Sequence, residues 1–106
     1  MREVAAEVFG DAAMIEAGRV NYARNCMVCH GTLAISSGIL PDLRWSAITG
    51  NAQAWNSIVI DGTLAENGMV SFSEYLSVED SEAIRAYITT RGHESLANEA
   101  LEAGGD

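Results

Sequence analysis

The stretch from Cys26 to His30, with the sequence Cys-Met-Val-Cys-His, contains the side chains best suited to chemistry in this chain. Two thiols separated by two residues, with a histidine directly after the second, are what covalent attachment of a c-type haem requires. Each cysteine can add across one haem vinyl group, and His30 can then ligate the iron from one face. The motif therefore predicts one covalently bound haem c, anchored by Cys26 and Cys29.

Three other uses of a Cys-x-x-Cys pair compete with haem attachment. A thioredoxin-like redox pair needs a βαβ context, whereas the flanking sequence has a helical pattern. A structural zinc site needs about four ligands, and the chain has only two cysteines and two histidines in all. Because His30 directly follows Cys29, it could not easily share a tetrahedral site with both thiolates. A disulfide across this short loop is the third alternative. Haem attachment is favoured over all three on the motif itself, and residues downstream that suit a haem strengthen this interpretation.

Met69, which follows Gly68 well downstream of His30, is predicted to be the second iron ligand. A thioether at that place can close the sixth coordination position, which raises the reduction potential and leaves no open site for small molecules. Core filling is the ordinary alternative for a methionine. If Met69 were absent from the iron, the open site would suit a haem peroxidase or a gas sensor. His93 is an alternative ligand, but its position near a helix end is typical of a surface residue.

Four further residues are expected to lie at the haem. Pro41, the only proline of the chain, can present its carbonyl to the Nδ1–H of His30 and so orient the ring; a proline that only stiffens a loop is the alternative. Arg44 and Trp45 carry donors suited to a buried propionate, the alternative being a surface arginine beside a core tryptophan. Trp55 is expected to face the haem from a helix.

A first helix is predicted from about Ala12 to Asn25, with Asp11 as its N-cap. Its apolar spacing of three and four residues places one set on a common face: Ile15, Gly18, Tyr22 and Cys26. A glycine in mid-helix costs about 1 kcal/mol relative to alanine. The glycine therefore indicates that another helix crosses closely at that point.

Two further helices are predicted downstream. One spans about 52–60, after the N-cap Asn51, and Gly62 is expected to end it. The last helix begins at Ser77 with a capping box and is expected to end at Gly92. Its apolar stripe consists of Ile84, Tyr87 and Ile88. The side chains expected to pack under the Met69 loop are Phe72, Tyr75 and Leu76.

The 106 residues fit one domain. The predicted division is an N-terminal arm or linker over 1–11, a haem domain over 12–94 and an acidic, weakly ordered C-terminal tail over 95–106. No apolar run approaches the roughly 20 residues needed to cross a membrane, and no signal-peptide pattern is present. Because bacteria normally attach c-type haem outside the cytoplasm, we expect a periplasmic protein, as a mature form or an excised domain.

The charge of the chain is strongly acidic. Fifteen acidic residues stand against six basic ones, all of them arginine, for a net charge of −9. This balance disfavours nucleic-acid binding, which needs a basic footprint. It suits steering toward a basic redox partner, although solvated charge without a specific role is the alternative for any single carboxylate.

Taken together, these residues resemble a class I-like cytochrome c. The shared pattern is Gly18 and Tyr22 before the Cys-x-x-Cys-His motif, Met69 after a glycine, and Ile84 with Tyr87 on the last helix. Several strings are also similar to the haem domain of quinohaemoprotein alcohol dehydrogenases, over roughly residues 18–94. These strings are Gly38 to Arg44, Gly68 to Phe72 and Leu76 to Glu94.

The resemblance implies an all-α cytochrome c fold, in which the N- and C-terminal helices cross and short helices and loops wrap one covalent haem. It implies a one-electron carrier that accepts electrons from a dehydrogenase, a PQQ-dependent alcohol dehydrogenase being favoured, and passes them to a downstream redox protein. In that family the domain follows a β-propeller that carries the quinone. The propeller is absent here, so we expect an electron-transfer module and not an enzyme. The cytochrome subunit of a flavin-dependent hydroxylase is the alternative.

Overall fold

The computed structural model describes residues 7–26, 43–64, 69 and 71–104. Within these ranges the chain is helical and has no strand, which confirms the prediction of an all-α fold. The α-helices are α1 (Ala12–Asn25), α2 (Ala52–Val59) and α3 (Val78–Gly104). Two short 3-10 helices, Leu43–Trp45 and Ala47–Gly50, precede α2. None of the helices described here has the length and apolar character that a membrane crossing requires.

Each α-helix begins at the capping residue that the sequence predicts. The side chains of Asp11 and Asn51 each accept a hydrogen bond from the amide three residues on, at 2.8 and 3.0 Å. At the start of α3, Ser77 Oγ accepts from the amide of Asp80 at 3.1 Å, and the Asp80 carboxylate accepts from the amide of Ser77 at 3.0 Å. Caps of this kind satisfy amides without a partner inside the helix and stabilise it by about 1 kcal/mol each.

The helices α1 and α3 cross at Gly18, where no side chain would fit. A Cβ on Gly18 would overlap the carbonyl of Ala83 and would lie 3.0 Å from the Cβ of Tyr87. One turn further along α1, the rings of Tyr22 and Tyr87 meet with centroids 5.5 Å apart and planes tilted by 49°. Burial in this contact raises the pKa of the Tyr87 phenol. The close crossing predicted from the glycine is confirmed.

One apolar cluster joins the three α-helices. Its buried members are Tyr22, Cys26, Trp55, Val59, Leu76, Ile84, Tyr87 and Ile88. Partly buried side chains pack against it: Ile15, Leu43, Ile60, Met69 and Phe72. Because Cys26 is the C-cap of α1 and follows Tyr22 by one turn, the crossing of α1 and α3 places this thiol at the cluster.

The prediction that the last helix ends at Gly92 is wrong, because α3 continues to Gly104. A glycine ends a helix when it adopts the left-handed conformation, and the backbone at Gly92 stays helical. In a helix interior the residue costs only about 1 kcal/mol, and Ser95 beyond it accepts a hydrogen bond from Arg44 Nη1 at 2.8 Å. The segment expected to be a weakly ordered tail is therefore largely helical. The division of the chain at residues 11 and 94 stays a prediction.

The predicted position of Tyr75 is also wrong. Its side chain is 71% exposed, whereas Leu76 is buried and Phe72 packs against the core. The amide of Leu76 donates to the carbonyl of Phe72 at 2.8 Å, so the chain makes a single helical turn here. Residues four apart share one side of such a turn, which turns Phe72 and Leu76 inward and leaves Tyr75 in solvent.

We expect Gly18→Ala to destabilise the haem-loaded protein by about 1–3 kcal/mol, because the added methyl would force two helix backbones apart. The loss should appear even though alanine is intrinsically the better helix former. Urea unfolding followed by far-ultraviolet circular dichroism measures the change. A midpoint equal to or above that of the unchanged protein would contradict the packing at Gly18.

Candidate haem site

The structure describes five of the predicted haem-site residues, namely Cys26, Arg44, Trp45, Trp55 and Met69. Three predicted site residues lie outside the described residues, namely Cys29, His30 and Pro41. Haem attachment by Cys29, iron ligation by His30 and orientation of that ring by Pro41 therefore stay predictions.

Cys26 and Met69 lie against the same apolar cluster. Cys26 is 7% exposed, and its amide donates to the carbonyl of Tyr22 at 2.8 Å as the last turn of α1 closes. Met69 is partly buried, and its amide donates to the carbonyl of Leu64 at 3.2 Å. A thiol suited to haem attachment and a thioether suited to iron ligation are thus brought to one apolar surface.

Trp55 joins α2 to α3 through its indole nitrogen. The residue is 4% exposed, and its Nε1–H donates to the carbonyl of Ser81 at 3.0 Å inside the core. Because that hydrogen-bond donor is taken, the apolar ring is the part of Trp55 suited to a porphyrin face. The predicted contact between Trp55 and the haem stays a prediction.

Arg44 and Trp45 lie on the first 3-10 helix, which is held against α3. Arg44 is 9% exposed, its Nη1 donates to Ser95 Oγ at 2.8 Å, and its guanidinium carbon lies 4.9 Å from the centroid of the Trp45 ring. The hydroxyl of buried Thr49 donates to the carbonyl of Leu43 at 3.0 Å and so ties the two short helices together. The bond to Ser95 could not be predicted while the last helix was expected to end at Gly92.

A second arginine, Arg85, holds the other short helix, and the sequence reasoning missed it. Its Nε and Nη2 donate to the carboxylate of Glu82 at 2.9 and 2.8 Å, while its Nη1 donates to the carbonyl of Thr49 at 3.0 Å. The ring of Phe9 lies 4.2 Å from its guanidinium carbon, and Asn56 Nδ2 donates to Glu82 at 3.2 Å. A spacing of three residues on a helix could have predicted the Glu82–Arg85 pair, but not its distant partners.

The described residues fit a covalently bound haem. The apolar cluster suits a porphyrin face, the Cys26 thiol suits attachment, the Met69 thioether suits iron, and the buried Arg44 suits a propionate. In the described part of the chain, three buried polar atoms also lack a hydrogen-bond partner: Asn56 Oδ1, Ser81 Oγ and Thr89 Oγ1. Buried atoms of this kind are normally satisfied by ordered water.

The described residues form a helical fold with a buried cysteine at the end of the first helix, an arrangement compatible with a cytochrome c domain. The sequence model of the family described as "Cytochrome C oxidase, cbb3-type, subunit III" matches residues 13–88. The chain belongs to this family of c-type cytochromes. It therefore carries a covalently bound haem c and is an electron-carrier domain, as the sequence predicts.

Known relatives agree with the resemblance to quinohaemoprotein alcohol dehydrogenases. The chain is 38% identical over 89 residues to the dehydrogenase subunit of alcohol dehydrogenase (quinone) from Gluconobacter oxydans, covering 84% of this chain and 12% of that one. It superposes on a quinohemoprotein alcohol dehydrogenase from Pseudomonas putida with a TM-score of 0.78 and 33% identity, covering 88% of this chain and 13% of that one. Cytochrome c550 of Pseudomonas aeruginosa is 35% identical, over 70% of this chain and 53% of its own.

We expect Glu82→Gln to destabilise the haem-loaded protein by about 1 kcal/mol at pH 7, since the Arg85 guanidinium would lose its charged partner. The hydrogen bond from Arg85 holds the pKa of the Glu82 carboxyl below its ordinary value. The carboxylate therefore stabilises the fold above its ordinary pKa, and this contribution is lost as the pH falls through the lowered pKa. Urea unfolding at a series of pH values should show the two proteins converging under acid conditions.

The matched control is Glu16→Gln, which removes the same charge from a pair with Arg19 at the same spacing. Both of those side chains are more than half exposed, so solvent screens the pair and the loss should be smaller. Equal losses in the two variants, or a Glu82→Gln loss that does not change with pH, would contradict the role given to the Glu82–Arg85 pair.

Proposed function

We propose that this chain carries single electrons from a quinoprotein dehydrogenase to a downstream redox protein in the periplasm, with no substrate chemistry of its own. The observation that carries the proposal is the position of Met69, which packs against the same apolar cluster as Cys26. When bound, the haem supplies an iron that cycles between Fe(III) and Fe(II). The protein sets the ligands, the orientation and the exclusion of water.

The proposed roles follow from side-chain chemistry. Cys26 and Cys29 would attach the porphyrin, and His30 and Met69 would ligate the iron. The carbonyl of Pro41 would accept a hydrogen bond from the Nδ1–H of the histidine and so fix the ring. A ligand pair of histidine and methionine favours the reduced iron, so it gives a higher potential than an open or bis-histidine site.

Three further side chains are proposed to complete the haem environment. Arg44, oriented by Ser95 and stacked near Trp45, offers charged donors to a propionate. Trp45 offers its indole N–H to the same group. Trp55 offers its ring to the porphyrin face while its N–H stays on Ser81. Each of these residues supports haem binding without taking part in electron exchange.

The donor is proposed from the relatives and from charge. Most of the similar proteins are named as dehydrogenases, and this chain spans only about an eighth of the length of the one from Gluconobacter oxydans. The catalytic part of such an enzyme is therefore not assigned to this chain. Its net charge of −9 suits docking against a partner with a basic surface.

Met69→Ala should lower the reduction potential markedly and let carbon monoxide bind rapidly to the reduced protein, because the sixth iron position would be open. Potentiometric titration and stopped-flow mixing with carbon monoxide measure the two effects. Met14→Ala is the matched control, since this methionine is also partly buried but lies on α1. Rapid carbon monoxide binding to the unchanged protein would overturn ligation by Met69 and favour a peroxidase or gas sensor.

The oxidised, haem-loaded protein should be reduced on mixing with a purified PQQ-dependent alcohol dehydrogenase and its alcohol, and not when alcohol is omitted. The rate should fall as salt is added, because the attraction between an acidic carrier and a basic docking surface is screened. Stopped-flow absorbance of the haem measures the rate. Reduction by a flavin-dependent hydroxylase and not by the quinoprotein would replace the proposed donor.

A further inference from the structure

The C-terminal end of α2 has backbone carbonyls that the helix cannot satisfy by itself, as every helix end does. The amides of Ile60 and Asp61 close back on the carbonyl of Asn56, at 2.8 and 3.2 Å. The amide of Thr63 reaches the carbonyl of Ser57 at 3.2 Å. The next carbonyls along the chain, including those of Val59 and Ile60, require donors from elsewhere.

Those donors come from the loop that carries Met69. The amide of Phe72 donates to the carbonyl of Val59 at 2.8 Å, and Ser71 Oγ donates to the carbonyl of Ile60 at 2.6 Å. Ser71 Oγ also accepts a hydrogen bond from the amide of Ser73 at 3.2 Å. One hydroxyl thus fastens the loop to the helix end and shapes the turn that follows.

Gly62 is the residue that lets Ser71 come so close. Its φ of +75° lies in the left-handed region that favours glycine, so the chain turns back directly after α2. A Cβ at this position would lie 2.9 Å from the Cβ of Ser71, closer than two carbon atoms can pack. Gly62 and Ser71 are therefore complementary in shape, while the hydroxyl of Ser71 bonds to the carbonyl of Ile60.

Met69 is held between two attachments. Its own amide donates to the carbonyl of Leu64 at 3.2 Å. Ser71 follows two residues later, and two residues of extended chain span at most about 7 Å. Met69 and Ser71 are thus each attached to α2 or to the turn after it.

We propose that Ser71 and Gly62 form a clasp that positions the Met69 thioether. Ligation of the iron by Met69, and with it the access of other ligands to the sixth position, then depends on this clasp as well as on the sulfur. The proposal rests on the ligation by Met69 proposed above. In it Ser71 is a positioning residue, because it acts on the iron only through Met69. Removing its hydroxyl would leave the carbonyl of Ile60 without this donor, so the amide of Phe72 on the carbonyl of Val59 would hold this side of the loop alone.

Ser71→Ala tests the clasp in the haem-loaded protein. The reduction potential should fall below that of the unchanged protein, and carbon monoxide should bind the reduced form roughly two- to tenfold faster, the range expected for loss of one hydrogen bond. Ser71→Thr, which keeps the hydroxyl, should stay closer to the unchanged protein in both measurements. Gly62→Ala should act in the same direction as Ser71→Ala, since its methyl would push Ser71 away.

Ser77→Ala is the matched control. It also deletes a serine hydroxyl that makes a local hydrogen bond, and it should lower thermal stability through loss of the α3 cap. Its potential and its carbon monoxide rate should nevertheless equal those of the unchanged protein. If Ser71→Ala changes only thermal stability, as Ser77→Ala does, the clasp has no positioning role and the proposal is overturned.

A double variant separates this proposal from the one on which it rests. In a Met69→Ala background, adding Ser71→Ala should leave the potential and the carbon monoxide rate unchanged, because the clasp acts through the missing sulfur. A further change there would overturn the clasp. If Met69→Ala itself has no effect on the potential, iron ligation by Met69 fails and the clasp fails with it. If Met69→Ala lowers the potential while Ser71→Ala does not, only the clasp fails.

Discussion

The contact between the helix backbones at Gly18 and Ala83 is the constraint on which the other contacts of this domain depend. With no side chain between them, α1 and α3 approach closely enough for Tyr22 and Tyr87 to meet in the core. Cys26 lies eight residues beyond the crossing, about 12 Å along the helix axis. The crossing therefore determines where the Cys26 thiol, proposed to attach the haem, lies, and it determines which face of α3 is left for the rest of the chain.

The segment from Arg44 to Trp55 packs along that remaining face of α3 and runs antiparallel to it. Trp55 bonds to Ser81, the carbonyl of Thr49 bonds to Arg85, and Arg44 bonds to Ser95. These attachments span 15 residues of α3, from Ser81 to Ser95, about 21 Å along the helix axis. Each of them pairs a buried or partly buried polar group with a specific partner, so a shift in register would leave groups unpaired in the core. The residues proposed to surround the haem are thus aligned by polar contacts, while apolar burial supplies the attraction.

The features that the sequence predicted are those governed by local rules. A cap such as Ser77 needs a partner only three residues away, and a mid-helix glycine such as Gly18 is costly unless another backbone approaches. The features that the sequence did not reveal depend on distant partners. Beyond Gly92, Ser95 of α3 bonds to Arg44 from a distant part of the chain, and the exposure of Tyr75 depends on which side of one turn meets the core. The haem-site residues were predicted from chemistry alone, and the shared surface of Cys26 and Met69 became evident only from the fold.

The bonds from the Met69 loop to the carbonyls of Val59 and Ile60 make the loop and the last turn of α2 one cooperative unit. Neither part can open alone without leaving the other with unsatisfied backbone groups. A ligand loop that is fastened only through side chains can fluctuate while the helix beneath it stays intact. In this domain the amide of Phe72 donates directly to the carbonyl of Val59, so this amide hydrogen exchanges with solvent only when the loop separates from the last turn of α2.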